Sequence, residues 1–172
     1  MTRFVLETER LGLRRASMDD VAWITREIAN ENVHKWLTGP PHPFRASDCV
    51  EWIEKQNTDC GIFVIEVDVP LGVVGVETGL GDFDLGYWLS EKAWGKGIMT
   101  EAARAAVGWH FAQYDVALRS GYLPKNHGSR RILETLGFKR TELKQAFSPF
   151  YGHDVDVQKM ALSKPDWILR NA

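Results

Sequence analysis

Apolar residues recur along the chain at two spacings, and the switches between them mark out the elements. Leu11-Gly-Leu-Arg-Arg15 reads as a first strand. Ser17 then stands as a helix N-cap with Asp19 and Asp20 in the first turn, and Val21, Ile24 and Ile28 follow at helical spacing. The Pro- and Gly-rich stretch Thr38–Pro43 ends that unit. Ser47-Asp48 is expected to cap a second short helix through Val50, Ile53 and Glu54. Three strands follow, over Gly61–Asp68, Leu71–Glu77 and Phe83–Ser90, with turns at Val69-Pro70 and from Gly79 to Asp82. The third alternates cleanly, with Phe83, Leu85, Tyr87 and Leu89 on one face and Asp84, Gly86, Trp88 and Ser90 on the other. Past Gly95-Lys96-Gly97 a long helix begins, carrying Ile98, Ala102, Ala105, Ala106 and Trp109 on one stripe. A strand over Ala117–Tyr122, a short helix over Ser129–Leu136 closed by Gly137, and strands over Phe138–Phe147 and Asp154–Leu162 complete the pattern. The order is β-α-α-β-β-β-α-β-α-β-β. It predicts an α/β (α+β) mixed sheet in which an antiparallel meander is followed by one crossover helix, in a single domain over residues 1–172.

Composition narrows the classes. Apolar residues make up 44% and charged residues 26% of the 172, which suits a globular core and excludes disorder as the main state. Twenty-one Lys and Arg against 23 Asp and Glu leave a net charge of −2, so no global attraction to nucleic acid or anionic lipid is expected. Cys49 and Cys60 cannot form a disulfide framework, and the five histidines lack zinc-site spacing, so no metal is expected. Residues 1–11 carry charges rather than a signal-peptide core, and no apolar run approaches a membrane span. The expectation is a soluble cytoplasmic protein, monomer or homodimer, without membrane or nucleic-acid partners.

Strand, Gly95-Lys96-Gly97, helix is an arrangement that cradles phosphate. Glycines let backbone N–H groups approach an anion, and the helix N-terminus adds positive potential. A tight turn would use the same residues. Two known cradles do not fit. The P-loop needs Ser or Thr where Gly97 stands and Gly where Glu91 stands, and the dinucleotide fingerprint needs a third glycine where Thr100 stands.

A third cradle does fit. Trp94-Gly-Lys-Gly97-Ile-Met99 resembles the Gln/Arg-x-x-Gly-x-Gly/Ala pyrophosphate pattern of the Gcn5-related N-acetyltransferase (GNAT) superfamily, with Trp94 and Met99 as departures. Gly86-Tyr-Trp-Leu89 ahead of Trp94-Gly-Lys-Gly97 resembles its RimJ/RimL-type branch, the ribosomal-protein N-terminal acetyltransferases. So do Asn126-x-x-Ser129 with Leu133-Glu134-x-Leu136-Gly137-Phe138, and Leu6-x-Thr8-x-Arg10-Leu-x-Leu-Arg14. The likeness runs from about residue 6 to Leu162.

The resemblance implies acetyl transfer from acetyl-CoA, as co-substrate, to a primary amine by direct attack in a ternary complex. It places pantetheine on the backbone of Trp88, Leu89 and Ser90, and pyrophosphate on the loop of Trp94, Gly95, Lys96, Gly97, Ile98, Met99 and Thr100. Asn126 and Ser129 are placed near the sulfur. Asp84 and Glu77 are the candidate bases, directly or through water. The branch's glutamate on the sixth strand falls near Phe147 here and is missing, as is the superfamily's tyrosine acid, whose place Leu133 takes. Ser129 or solvent is left to protonate the thiolate, with Tyr151 an outside candidate. Trp36, His42, Phe44 and Arg45 fall where the superfamily walls its acceptor cleft, and Trp36, Arg45 and Tyr87 are the acceptor-binding candidates.

Three acceptor readings follow. The leading one is a protein or peptide N-terminal α-amine. The second is a small amine: amino acid, polyamine or antibiotic. The third is a degenerate acyl-CoA-binding module. Residues 31–48 hold His34, Lys35, His42 and Arg45 against only Glu31 and Asp48, which leans against a polycation.

Overall fold

The computed structural model describes residues 4–56, 61–79 and 82–172. Among these, eight strands form one sheet: β1 (Leu6–Glu7), β2 (Gly12–Arg14), β3 (Gly61–Glu66), β4 (Pro70–Gly79), β5 (Asp82–Leu89), β6 (Leu118–Tyr122), β7 (Lys139–Ser148) and β8 (His153–Leu162). Their order is β1-β2-β3-β4-β5-β6-β8-β7, and only β5 and β6 run parallel. Six helices accompany them: α1 (Val21–Ala29), α2 (Glu31–His34), α3 (Ala46–Glu54), α4 (Ile98–Gln113), α5 (His127–Leu136) and α6 (Lys164–Arg170). The helix that crosses between the parallel strands is α4, as the order of elements predicts.

The sheet is covered on both faces, which explains why β3 reads as a continuous apolar run. Phe63 and Ile65 face one cluster with Ala102, Ala103 and Ala106 of α4, while Ile62 and Val64 face the other with Ile24, Ile28 and Ile53 of α1 and α3. These three alanines are fully buried and let the helix lie close to the strands.

Several boundaries differ from the sequence reading. Two short elements, β1 and α2, are too brief to show periodicity. Past the last strand, α6 is capped by Ser163, whose hydroxyl accepts from Asp166 N–H, with Pro165 in its first turn. The cap of α3 is Arg45, not Ser47-Asp48. Asp48 sits three residues in, and its carboxylate accepts from Arg45 N–H at 2.8 Å. Likewise α5 starts at His127, before Ser129, because Asn126 is the residue whose side chain caps it. The turn expected from Gly79 to Asp82 lies partly outside the described residues, as does Cys60.

One buried ion network fixes α1 over the sheet. The Arg14 guanidinium donates to both Asp20 oxygens at 2.8 and 2.9 Å and to Glu66 Oε2 at 2.7 Å. Burial alone would raise the Asp20 carboxyl, but hydrogen bonds from Arg14, Trp23 and Ser17 outweigh it and hold it below its ordinary value. Removing one partner of such a pair costs about 3–5 kcal/mol.

Two histidines make stability depend on pH. His34 and His110 are buried, and each sets Nε2 against a carbonyl, of Pro40 at 3.2 Å and Val116 at 2.8 Å. A carbonyl can only accept, so both nitrogens carry a proton. Burial pushes both rings below the ordinary histidine pKa. The unfolded chain therefore takes up protons first as pH falls below about 6.5, and stability present above that pH is lost beneath it. The urea midpoint should fall between pH 7 and pH 5. The fall should be smaller in His110→Gln, which can still donate to Val116 but does not titrate; a flat profile for the natural sequence would refute the account.

Candidate active site

The parallel pair closes at one end and opens at the other. Only Phe83↔Leu118 and Asp84↔Arg119 pair across β5 and β6. From there β5 stays with β4 as far as Leu89↔Gly72, while β6 stays with β8 as far as Tyr122↔Gln158. A gap therefore opens beside Leu85–Leu89, tied at its closed end by the Ser120 hydroxyl donating to the Leu85 carbonyl at 2.8 Å. Ser90 N–H donates to Leu71 on β4 at 2.8 Å. Successive strand amides point to opposite sides, so Tyr87 and Leu89 turn theirs into the gap and Trp88 turns its toward β4. Of the three residues assigned to pantetheine, Leu89 is thus the one whose amide is offered, and Tyr87 joins it. The Leu89 carbonyl accepts from Trp94 Nε1 at 3.0 Å, which holds that indole at the open end.

Beyond Trp94 the chain turns through Gly95 (φ 73°) and Gly97 (φ 72°) into α4. The first bond of that helix is Glu101 N–H to the Gly97 carbonyl. Among the described residues, the six amides from Gly95 to Thr100 have no protein acceptor, and they stand at the positive end of a 16-residue helix. That is an anion cradle. The Lys96 ammonium turns back to the Lys92 carbonyl at 3.0 Å. The guanidinium beside the loop belongs instead to Arg10, which donates to the Lys96 carbonyl at 3.0 Å and to Glu101 Oε2 at 2.6 Å. Thr8 and the Arg10 amide bond Glu101 Oε1 as well. Burial would raise the Glu101 carboxyl, but these donors prevail and lower it. The opening-strand motif contains Thr8 and Arg10 but does not join them to Glu101, because residues 91 or more apart carry no mutual spacing signal.

A cleft of about 1210 Å³ runs from this loop along the gap to the segment around Trp36. On one side stand Asn126 and Ser129. Asn126 Oδ1 accepts from Ser129 N–H at 3.1 Å, and Ser129 Oγ lies 2.8 Å from the Tyr87 hydroxyl. Tyr87, an acceptor-binding candidate, lines the cleft as well. Its side chain shares the α4 face of β5 with Leu85 and Leu89 and reaches α5; burial raises its phenol, which stays protonated. Leu133 is fully buried in the core, and Tyr151 lies in the β7–β8 turn against Phe150 and His153, away from the cleft lining.

The opposite face of β5 holds Asp84, Gly86 and Trp88, set against Glu77, Gly75 and Val73 of β4. Asp84 and Glu77 are thus directly opposed on one face at the closed end of the gap, and Lys159 Nζ lies 3.8 Å from Asp84 Oδ1. Between the carboxylates and Trp88 the floor is glycine, and a Cβ on Gly86 would meet nothing within 4 Å. Trp36 and Phe44 line the cleft as the sequence predicts, joined by Trp52 and Trp88. Arg45 does not, since the chain turns Phe44 inward and Arg45 outward to start α3; His42 packs on His34 and Phe150. Among the described residues, no cluster of three His, Cys, Asp or Glu could hold a metal, and no helix is long and apolar enough to cross a membrane.

The split sheet and the amide cradle thus offer strand-edge amides and an anion site within one opening. Residues 10–139 match the family model for the acetyltransferase (GNAT) domain, and the chain belongs to that family of N-acetyltransferases. An uncharacterized N-acetyltransferase p20 of Bacillus licheniformis is 26% identical over 94% of this chain and 97% of its own length. The ribosomal protein uS5-alanine N-acetyltransferase of Escherichia coli is 33% identical over 84 residues, 48% of this chain and 43% of that enzyme. An acetyltransferase of the GNAT family from Bacillus anthracis has the same fold, with TM-score 0.80 and 20% identity over 93% of this chain and 98% of the other. Solved structures of this fold include complexes with CoA or acetyl-CoA.

Proposed function

We propose that this chain moves the acetyl group of acetyl-CoA to a free α-amine at a protein or peptide N-terminus. The observation that carries the reading is one continuous opening: the amides of Gly95–Thr100, then those of Leu89 and Tyr87, then the paired carboxylates Asp84 and Glu77. Each part suits one component of the reaction. Acetyl-CoA supplies the acetyl group as a thioester. The loop amides neutralise its pyrophosphate, with Arg10 beside them. The amides in the gap hold pantetheine in the manner of a strand, and one of them donates to the carbonyl oxygen as charge develops there.

In the transfer, the amine nitrogen bonds to the acetyl carbon and the carbon–sulfur bond breaks. One proton leaves the amine and one reaches the sulfur. Asp84 takes the first, with Glu77 opposite as the alternative. Ser129 delivers the second. Its hydroxyl can donate to the sulfur because Tyr87, held protonated, can donate to Ser129 Oγ in turn. Ser129, supported by Tyr87 from β5, thereby takes the role of the missing helix tyrosine acid.

The choice of an α-amine rests on protonation. At pH 7 an α-amine of pKa about 8 is roughly 10% neutral, a cost of about 1.4 kcal/mol, whereas a lysine of pKa about 10.4 costs about 4.6. A site with a half-exposed aspartate as base suits the first. The ribosomal protein acetylated by the Escherichia coli relative is modified at an alanine, consistent with the same class of acceptor. The test compares peptides with a free N-terminus against N-blocked peptides carrying one lysine, read by CoA release. Free α-amines should lead by about 100-fold at pH 7, with the margin narrowing above pH 8 where the α-amine is already neutral. Turnover of amino acids or polyamines, with none for peptides, would keep the family and remove this acceptor.

A further inference from the structure

The strand register gathers three cations at the closed end of the gap. Asp84 faces α1 and α3. Arg119 pairs with Asp84 across β5 and β6 and so shares that face. Gly121, two residues on, pairs with Lys159 of β8, and Val157, two residues before Lys159, pairs with Lys144 of β7. Pairing preserves the face and a step of two preserves it again, so Arg119, Lys159 and Lys144 all stand on the side of Asp84. They line a pocket of about 270 Å³ in which Asp84 is the one carboxylate, and this pocket shares Thr38, Asp84, Val157 and Lys159 with the main cleft.

The carboxylates these cations hold are weakly engaged. Arg119 meets Asp82 at 2.9 Å and Lys144 meets Glu142 at 3.2 Å, with every side chain about half exposed. Such pairs contribute only about 0–1 kcal/mol and are readily exchanged. Lys159 lies 3.8 Å from Asp84, too far for a tight bond. Resting on the acetyl-transfer reading of the cleft, we propose that the Arg119, Lys144 and Lys159 pocket takes a carboxylate close to the acceptor's amine. The amine then meets Asp84 while the carboxylate meets the cations. A polyamine would instead bring its second ammonium against three like charges. The carboxylate can be an acidic side chain just after the N-terminal residue of a peptide, or the α-carboxylate of a free amino acid.

The experiment measures kcat/KM by CoA release for free-N-terminal peptides that differ only in Glu, Gln or Lys at the second position. A parallel arm compares a free amino acid with its amide. Glu should exceed Gln by about tenfold and Lys should be poorest, with the spread shrinking in 0.3 M salt as exposed charges are screened. Lys144→Glu should bring the ratio of Glu to Lys peptides to one or below. The ratio within one variant cancels any general loss of activity, and Arg119→Gln, expected to narrow the same ratio, serves if Lys144→Glu fails to fold. Ratios near one in the natural sequence, or ratios untouched by both variants, would overturn the pocket. Turnover of the amino acid but neither its amide nor any peptide would keep the carboxylate pocket and remove the protein acceptor. No turnover in either arm, with acetyl-CoA still bound, would overturn both.

Discussion

Replacing Gly97 by Asp should abolish the rise in melting temperature that acetyl-CoA gives the natural protein. A ligand at 100 times its Kd stabilises the folded state by about 2.7 kcal/mol, which is roughly 5–10 °C for a domain of this size. Gly97 sits at φ 72°, at the N-terminus of α4 and in the middle of six unpaired amides. A carboxylate there would itself accept from one or two of those donors, as an N-cap does, and set a negative charge among the rest. It would also attract Arg10, whose Nη2 lies 3.5 Å from where the new Cβ would stand. The free protein should therefore stay folded while the anion site is filled from within. Gly97→Asn separates charge from backbone strain, because Asn tolerates positive φ and is neutral. It should keep most of the acetyl-CoA shift. Equal shifts in the natural sequence and the Asp variant, read by differential scanning fluorimetry, would show that phosphate does not bind this loop.

What could be read from the sequence, and what could not, follows from the range of each signal. The Gly95-Lys96-Gly97 turn, the long helix behind it and the alternation of β5 are local patterns, and the fold carries all three. At the caps of α3 and α5 the right motif was set in a frame two or three residues off. At Tyr87 the alternation was right, and what it leaves open is which face of the sheet α5 will cover. Nothing local could have joined Thr8 and Arg10 to Glu101, or brought Arg119, Lys144 and Lys159 together. Those groupings come from β-register and helix docking, and each cation taken alone reads as an ordinary solvated residue.

The carboxylate at the closed end supplies the other large effect. Asp84→Asn should lower kcat at pH 7 by about 100-fold while leaving the acetyl-CoA thermal shift intact. The side chain is nearly the same size and lies on the face of β5 away from Tyr87 and Ser129, so the cofactor's contacts should not change. Stability should change little as well, because the ion pair with Lys159 is long and half-exposed. The sign of the pH dependence follows from the amine. Below its pKa of about 8 the acceptor arrives mostly as the ammonium, which has no lone pair, and a base must take a proton before the nitrogen can attack. Above it the amine arrives neutral, so the deficit should shrink as pH rises from 7 to 8.5. Glu77→Gln should cost less, since Asp84 stands in the last pair before β5 and β6 part, whereas Glu77 lies one strand further from the gap. If Asp84→Asn left kcat unchanged, or lowered it equally at every pH, the proton would have to leave through Glu77 or water, and Asp84 would be reduced to holding Lys159 in place.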